Sequence, residues 1–380
     1  MARFLHTADL HLGRILYGER LLDDQQHMLN ELLILIDAQK PDALLIAGDV
    51  FDRSVPPSEA VEVLDDFLVA VCRERNVPVV LIPGNHDSAD RIGFGSRLLG
   101  DKLHIVSTLD RCTTPLIIQD AHGDVEIFGL PFLEPSRVRS WSQDEEVRDH
   151  QSATETMVKH IRDAQRSPRA ILLAHAFVTG GMVSDSERSI SIGGVETVDA
   201  ATFTGFQYVA LGHLHRPQTA GADHIQYSGS PLKYSASEVN YKKSFTQIDI
   251  DGAGSVDIVR HPVNALRDLV VIEGTLEEIL SGDHPASPTD LVIARLTDRG
   301  PVHNAMGRLR VRWPNALHVE RLHLDHSQLT PLSGVDHRTK STKELFHTFF
   351  EAVTGEALSP TEVEALHAVI GTMSDTEGAA

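Results

Sequence analysis

The sequence predicts an α/β fold, a layered sandwich with a smaller appended unit, and two observations carry that expectation. Short β-branched runs alternate with long amphipathic stretches up to about residue 262. Short polar motifs follow directly on the apolar runs, at the carboxyl edge where open α/β sheets bind ligands. At 380 residues the chain has length for one large unit and a second, smaller one.

The first expected strand is Phe4-Leu5-His6-Thr7, followed by a helix over 20–38 and the strand Ala43-Leu44-Leu45-Ile46-Ala47. A helix over 58–75, the run Val77-Pro78-Val79-Val80-Leu81-Ile82 and a short helix over 91–99 continue the βαβ rhythm. Further strands are expected over 116–118, 125–130, 170–174 and 208–211, with 225–227, 245–250 and 256–259 as a closing antiparallel group. Residues 266–325 read β-α-β-α-β. The composition of Leu329-Thr330-Pro331-Leu332-Ser333-Gly334 is that of a linker, and amphipathic helices over 342–353 and 360–370 precede a polar tail.

Hydrophobic residues make up 41% of the chain and charged residues 23%, the balance of an ordinary globular protein, and no apolar run reaches the ~20 residues that span a bilayer. Met1-Ala2-Arg3-Phe4 leads straight into strand-like sequence, and Cys72 and Cys112 are the only cysteines, which excludes a disulfide framework. The expected compartment is the cytoplasm, with no membrane partner. The 54 acidic residues outnumber the 34 basic ones for a net charge of −20, the wrong sign for holding DNA unaided by phosphate neutralisation. Any binding of a polyanion would need bound divalent cations or a basic partner to supply positive charge.

Five motifs carry the chemistry: Asp9-Leu10-His11, Gly48-Asp49-Val50-Phe51-Asp52, Gly84-Asn85-His86-Asp87, His175, and Gly212-His213-Leu214-His215. A lone histidine pair means little in a chain with 21 histidines, whereas five such motifs, each after its own strand, point to a metal site. Oxygen and imidazole ligands without thiolates suit manganese, iron or zinc in a working site rather than structural zinc. A carboxylate such as Asp49 can bridge two cations about 3.5–4 Å apart, an arrangement that polarises phosphate oxygens and activates water near neutral pH. The motifs therefore imply phosphoester hydrolysis.

The order of these motifs resembles the calcineurin-like metallophosphoesterases. Within that superfamily, His6-Thr7-Ala8-Asp9-Leu10-His11-Leu12-Gly13, Ala47-Gly48-Asp49-Val50-Phe51-Asp52, Pro83-Gly84-Asn85-His86-Asp87-Ser88, Leu211-Gly212-His213-Leu214-His215 and Tyr227-Ser228-Gly229-Ser230-Pro231-Leu232 are similar to the SbcD family of bacterial nuclease subunits. The resemblance covers nearly the whole chain. It implies a four-layer sandwich, two mixed sheets flanked by helices, over 1–262. It also implies an α+β capping domain over 263–328, a linker over 329–341, a helical docking segment over 342–371 and a tail over 372–380.

The resemblance further implies that Asp9, His11, Asp49 and His215 hold one metal and that Asp49, Asn85, His175 and His213 hold the other, manganese being the family's metal. His86 would face the scissile phosphate, stabilising the transition state or protonating the leaving oxygen, and Asp87 would orient a neighbour, that histidine among the candidates. Asp52 stands where archaeal and eukaryotic relatives carry a second histidine, which favours the bacterial branch. The implied activity is metal-dependent cleavage of DNA in repair, recombination and replication: 3′-to-5′ exonuclease on duplex ends and endonuclease on single strands and hairpins. The implied partner is the ATPase SbcC, two copies of each chain together, with a homodimer of this chain at the nucleoid.

Three sets of residues are assigned from patterning. Arg14, Tyr17 and Arg20 follow the first motif and are placed for DNA contact. The helix over 58–75 has a broad apolar band including Leu64 and Phe67, which the resemblance implies is a dimer helix and which deeper burial within the chain would equally explain. Phe346, Phe349 and Phe350 suit either a partner helix pair or packing on this chain. Two other functions fit the motifs: a phosphodiesterase or phosphatase for a small substrate, which would have no use for the appended segments, and a scaffold that has lost its chemistry, against which His86 and every inferred ligand are present.

Overall fold

The strands at the centre of the molecule are apolar end to end because both of their faces are covered, the pattern of parallel strands in layered α/β proteins. A computed structural model describes residues 1–99, 102–187, 197–322, 341–354 and 357–377. In it every residue of Ala43–Ala47, Val79–Ile82, Ala170–His175 and Tyr208–Gly212 is buried.

These strands belong to two mixed six-stranded sheets. The first runs Val256–Pro262, Ser244–Ile250, Ala2–Thr7, Ala43–Ala47, Val79–Ile82, Leu103–Ile105; the second runs Gln218–Ala220, Ala222–Tyr227, Tyr208–Gly212, Ala170–His175, Gly123–Leu130, Leu116–Asp120. Phe4, Leu45, Val80 and Ile82 of the first sheet share one core with Ile127, Leu172 and Val209 of the second. Each such side chain contributes about 1.5–3 kcal/mol on burial. Leu5, Leu44, Ile46 and Leu81, which alternate with that set and so face the other way, are buried as well. The crossover helices Leu22–Gln39 and Ser58–Val69 join consecutive parallel strands of this sheet and bury Met28, Leu32, Ile36, Ala60, Leu64 and Phe67. The layered sandwich is thus as expected from the sequence.

Three details differ from the sequence expectation. The closing antiparallel group is split, because Ala222–Tyr227 pairs parallel with Tyr208–Gly212 in the second sheet while Ser244–Ile250 and Val256–Pro262 complete the first. The helix expected over 91–99 is only Ala89–Ile92, followed by turns. The helix expected over 58–75 becomes a π-turn at Ala70–Glu74.

Leu64 and Phe67 are 8% and 3% exposed within this single chain, whereas Val61 and Val69 of the same helix remain 45% and 39% exposed. The most exposed large apolar residues of this unit, among the described residues, are Phe94 and Leu98, at 89% and 91%.

Contacts divide the chain at Leu269/Val270. The second unit has the sheet Leu269–Gly274, Leu291–Leu296, Ala316–Arg321, over which the helices Leu276–Ser281 and Ala305–Arg312 close a small core of Ile272, Ile279, Val292, Leu309 and Trp313. Thr275 and Glu278 cap the first of these helices reciprocally. The expected linker over 329–341 lies outside the described residues except for Ser341. The helices Thr342–Thr354 and Pro360–Glu377 follow, the second running on into the stretch expected to be tail. Phe346 and Phe349 are exposed, and the Phe346 and Phe350 rings stack with centroids 6.4 Å apart. No helix of the described residues is long and apolar enough to cross a membrane.

Burial at position 67 has a measurable consequence. Phe67→Ala should lower the unfolding free energy by about 3 kcal/mol, and Phe94→Ala should change it by less than about 0.5 kcal/mol, both read from urea denaturation of the purified protein.

Candidate metal centre

Parallel pairing brings the strand ends into step: Thr7 lies beside Ile46, Ala47 beside Ile82, and His175 beside Gly212. The loops that leave these ends converge on one pocket. Backbone bonds lock the first two loops together, with Asp9 N donating to Gly48 O at 3.0 Å, His11 N to Asp49 O at 3.0 Å and Leu12 N to Val50 O at 2.9 Å. Two bonds tie the sheets together here: His175 Nδ1 donates to Ala47 O at 2.9 Å, and His213 N donates to Asp9 Oδ1 at 2.9 Å.

The turns are tight enough to force non-glycine residues into the left-handed region. Asp9, His11, Asp49 and His213 have φ of 54°, 46°, 49° and 110°, conformations that cost energy and are kept where a side chain must be aimed. Gly84 is required for another reason, because a Cβ there would run into the Asp49 carboxylate.

Two half-sites result. In one, His11 Nε2 and His215 Nε2 approach to 3.0 Å, and Asp9 lies with them in a cluster whose ligand atoms all fall within 4.8 Å of one another. In the other, Asn85 Oδ1 is 2.9 Å from His175 Nε2 and 3.1 Å from His213 Nδ1. Asp49 Oδ2 faces both, 3.8 Å from His11 Nε2 and 3.6 Å from His175 Nε2. Atoms that ligate one ion at about 2.1 Å stand about 3–4 Å from each other, so these separations fit a divalent cation in each half-site with Asp49 between them.

Electrostatics point the same way. Burial, then the neighbouring Asp49, pushes the Asp9 carboxyl well above its ordinary range. Burial, then the His215 and His86 rings, holds His11 well below the ordinary histidine value, and burial followed by His175 pushes His213 down to about 3. His11 and His213 are thus neutral, with ring lone pairs available. His175 spends Nδ1 on a carbonyl, which leaves Nε2 turned toward Asn85 and Asp49. Close-set carboxylates and neutral imidazoles in a buried pocket are a donor set that a pair of divalent cations satisfies.

His86 lies at the rim of this pocket. Its Nδ1 donates to the Asp52 carbonyl at 2.9 Å, and its Nε2 is 4.0 Å from Asp49 Oδ2. Asp87 does not orient that ring. Its carboxylate accepts from Gly84 N at 2.8 Å, Val50 N at 3.0 Å and Phe51 N at 2.9 Å, and so clamps the second loop to the third. Arg14 is held beside the pocket by Asp52 at 2.8 Å and over the Tyr234 ring at 5.3 Å. Arg20 reaches Glu59 at 3.5 Å, and Tyr17 is exposed.

Several residues of the site had no signature in the sequence. Gln25 Nε2 donates to His11 O at 2.7 Å, and Ser186, Glu187, Glu238 and Lys243 surround His215 from behind. Only the string Tyr227 to Leu232 hinted at this wall; Ser230 N donates to His215 O at 3.2 Å.

Comparison with known proteins identifies relatives of this chain. The calcineurin-like phosphoesterase family model matches residues 2–217. The SbcD chain of the SbcCD nuclease of Staphylococcus epidermidis is 32% identical over 379 residues, covering 99% of this chain and all of the relative. The chain belongs to the SbcD family of calcineurin-like phosphoesterases. The SbcD chain of Staphylococcus saprophyticus is 29% identical, covering 97% of each chain. A family model described as the type 5 capsule protein repressor C-terminal domain matches residues 265–354. Among solved structures, TT1561 of Thermus thermophilus aligns with 68% of this chain and 98% of its own at 13% identity and a TM-score of 0.40.

The clash built into position 84 provides a test. Gly84→Ala should displace the Asp49 carboxylate and weaken binding of Mn²⁺ by about tenfold or more, while leaving the far-ultraviolet circular dichroism unchanged; isothermal titration with Mn²⁺ would measure it.

Proposed function

We propose that this chain is the nuclease subunit of an SbcCD-type complex and hydrolyses DNA phosphodiester bonds with two divalent cations, manganese in the cell. The observation that carries the proposal is the single oxygen of Asp49 set between two half-sites. Asp9, His11, His215 and Asp49 would hold one cation, and Asn85, His175, His213 and Asp49 the other. Such a pair supplies Lewis acidity that binds the phosphate's non-bridging oxygens and activates water for in-line attack.

The protein's own residues supply the geometry around that chemistry. With Nδ1 fixed on the Asp52 carbonyl, His86 has Nε2 as the atom through which to stabilise the reacting phosphate or pass a proton to the departing oxygen. Asp87 keeps the His86 loop against the Asp49 loop. Arg14, aimed by Asp52 and Tyr234, and the exposed Tyr17 and Arg20 would meet the DNA backbone beside the pocket.

On this reading the complex is a 3′-to-5′ exonuclease on duplex ends and an endonuclease on hairpins and single strands, working in the cytoplasm. A net charge of −20 gives this chain little hold on DNA beyond the site itself. The SbcC ATPase would therefore provide most of the grip, docked on Phe346, Phe349 and Phe350. The homodimer surface would be formed by the exposed Phe94 and Leu98 rather than the buried Leu64 and Phe67.

Purified protein with Mn²⁺ should cleave end-labelled duplex and hairpin DNA and hydrolyse bis-p-nitrophenyl phosphate, and His86→Ala should lower each rate about 10²-fold or more. Hydrolysis of the small diester without DNA cleavage, even with SbcC and ATP added, would assign the site to a smaller substrate. Phe94→Glu with Leu98→Glu should elute as a folded monomer on gel filtration; an unchanged elution volume would move the dimer surface elsewhere.

A further inference from the structure

Behind His215 the chain buries a second polar cluster. Glu238 is 0% exposed and Lys243 8%, with Ser186 and Ser230 buried beside them. His215 Nδ1 lies 2.7 Å from Ser186 Oγ and 3.2 Å from Glu238 Oε1, and the Ser186 hydroxyl donates to that same carboxylate oxygen. Lys243 Nζ donates to the other oxygen of Glu238, to Ser230 Oγ at 2.7 Å and to the His215 carbonyl at 2.9 Å. The His215 amide donates to Glu187 Oε1 at 2.7 Å. Ring, amide and carbonyl of one residue are each held by a charged side chain.

A buried ion pair loses more hydration than its mutual attraction reliably returns, and apolar side chains of the same volume serve folding as well or better. The pair is therefore poorly explained as a stabiliser of the fold. Its geometry suggests another use. An acceptor at Nδ1 puts the ring proton there and leaves Nε2 as a bare lone pair, and in His215 that atom faces His11 Nε2 at 3.0 Å in the first half-site. His175 and His86 have neutral backbone carbonyls in the corresponding place, so His215 differs from them in having a carboxylate behind its ring. A carboxylate behind an imidazole orients it and strengthens it as a donor to metal.

We propose that Glu238, neutralised by Lys243, is a positioning residue that fixes the Nδ1–H form of His215 and aims its Nε2 into the half-site of Asp9 and His11, making that half-site selectively dependent on it. The inference rests on the reading that His215 holds a cation. Its consequence is an asymmetry between the half-sites, since the one built on Asn85, His175 and His213 has no such support from Glu238.

The test is Mn²⁺ titration of metal-free full-length protein by calorimetry, with electron paramagnetic resonance counting bound ions, on wild type, Glu238→Gln and the double variant Glu238→Met/Lys243→Met. Wild type should bind two Mn²⁺. Both variants should lose affinity at one site by about 10- to 100-fold and keep the other. The double variant, which leaves no unpaired charge, should recover the melting temperature of the metal-free protein without recovering the lost affinity. In ¹⁵N spectra of metal-free protein, the His215 ring should show the Nδ1–H form in wild type and a mixture in the double variant. Wild-type affinity at both sites in the double variant would overturn the proposal and leave the pair a matter of folding. If neither variant folds, Glu238→Asp decides: it keeps the charge pair but draws the carboxylate back from the ring by one methylene, and unaltered Mn²⁺ binding there would overturn the proposal too. A wild type that binds no pair of Mn²⁺ would instead refute the metal-centre reading beneath it.

Discussion

One carboxylate oxygen, Asp49 Oδ2, has to face His11 from the first sheet and His175 from the second at once, and much of the architecture follows from holding it there. The loop that carries Asp49 leaves the first sheet, while His175 and His213 come from the second. Their separation can be kept within a few tenths of an ångström only if the two sheets do not slide. The shared core of Phe4, Leu45, Leu172 and Val209 resists that sliding, because a close-packed interior has no soft direction. The bonds from His175 to Ala47 O and from His213 N to Asp9 then pin the two carboxyl edges to each other.

The same requirement explains why the pocket is costly to the protein that contains it. Left-handed backbone at Asp9, His11 and Asp49 costs on the order of 1 kcal/mol per residue, and burial raises Asp9 while depressing His11 and His213. A cation that accepts the imidazole lone pairs and offsets the carboxylate charge would relieve the electrostatic part of this cost. Binding of metal is therefore coupled to the stability of the pocket, and the loops can be strained because the sheets beneath them carry an ample apolar core.

How much of this was legible in the sequence depended on whether the signal was local. Ala43–Ala47 and Tyr208–Gly212 could be read as buried strands because continuous apolar runs follow from burial on both faces, and the ligand motifs could be read because each sits where such a run stops. Alternation cannot say which sheet a strand joins, so Ala222–Tyr227 was grouped with the wrong neighbours. The helix His150–Ala164 has only a faint signature in the sequence: its buried Ala153, Met157, Val158 and Ile161 are diluted by Thr, Lys and His, though Asp149 and Ser152 form a capping box that marks its start. Leu64 and Phe67 showed an apolar band without showing what covers it. The bonds from Glu238 to Ser186 and His215 span 52 and 23 residues, and no spacing rule connects those positions.

The charge distribution gives the site its division of labour. A chain with 54 acidic and 34 basic residues repels the polyanion it would cut, and the residues nearest the pocket do little to change that, since Arg14 and Arg20 are both paired with carboxylates. Cations held in the two half-sites would then be the main local attraction for phosphate. That attraction is short-ranged, because at physiological ionic strength it is screened within about 8 Å. It can therefore orient a phosphodiester already at the pocket but cannot hold a long duplex in register. On the proposed function, cutting and gripping would be separate: the two sheets and their shared carboxylate would position the bond to be broken, and holding the rest of the nucleic acid would fall to a positively charged partner surface.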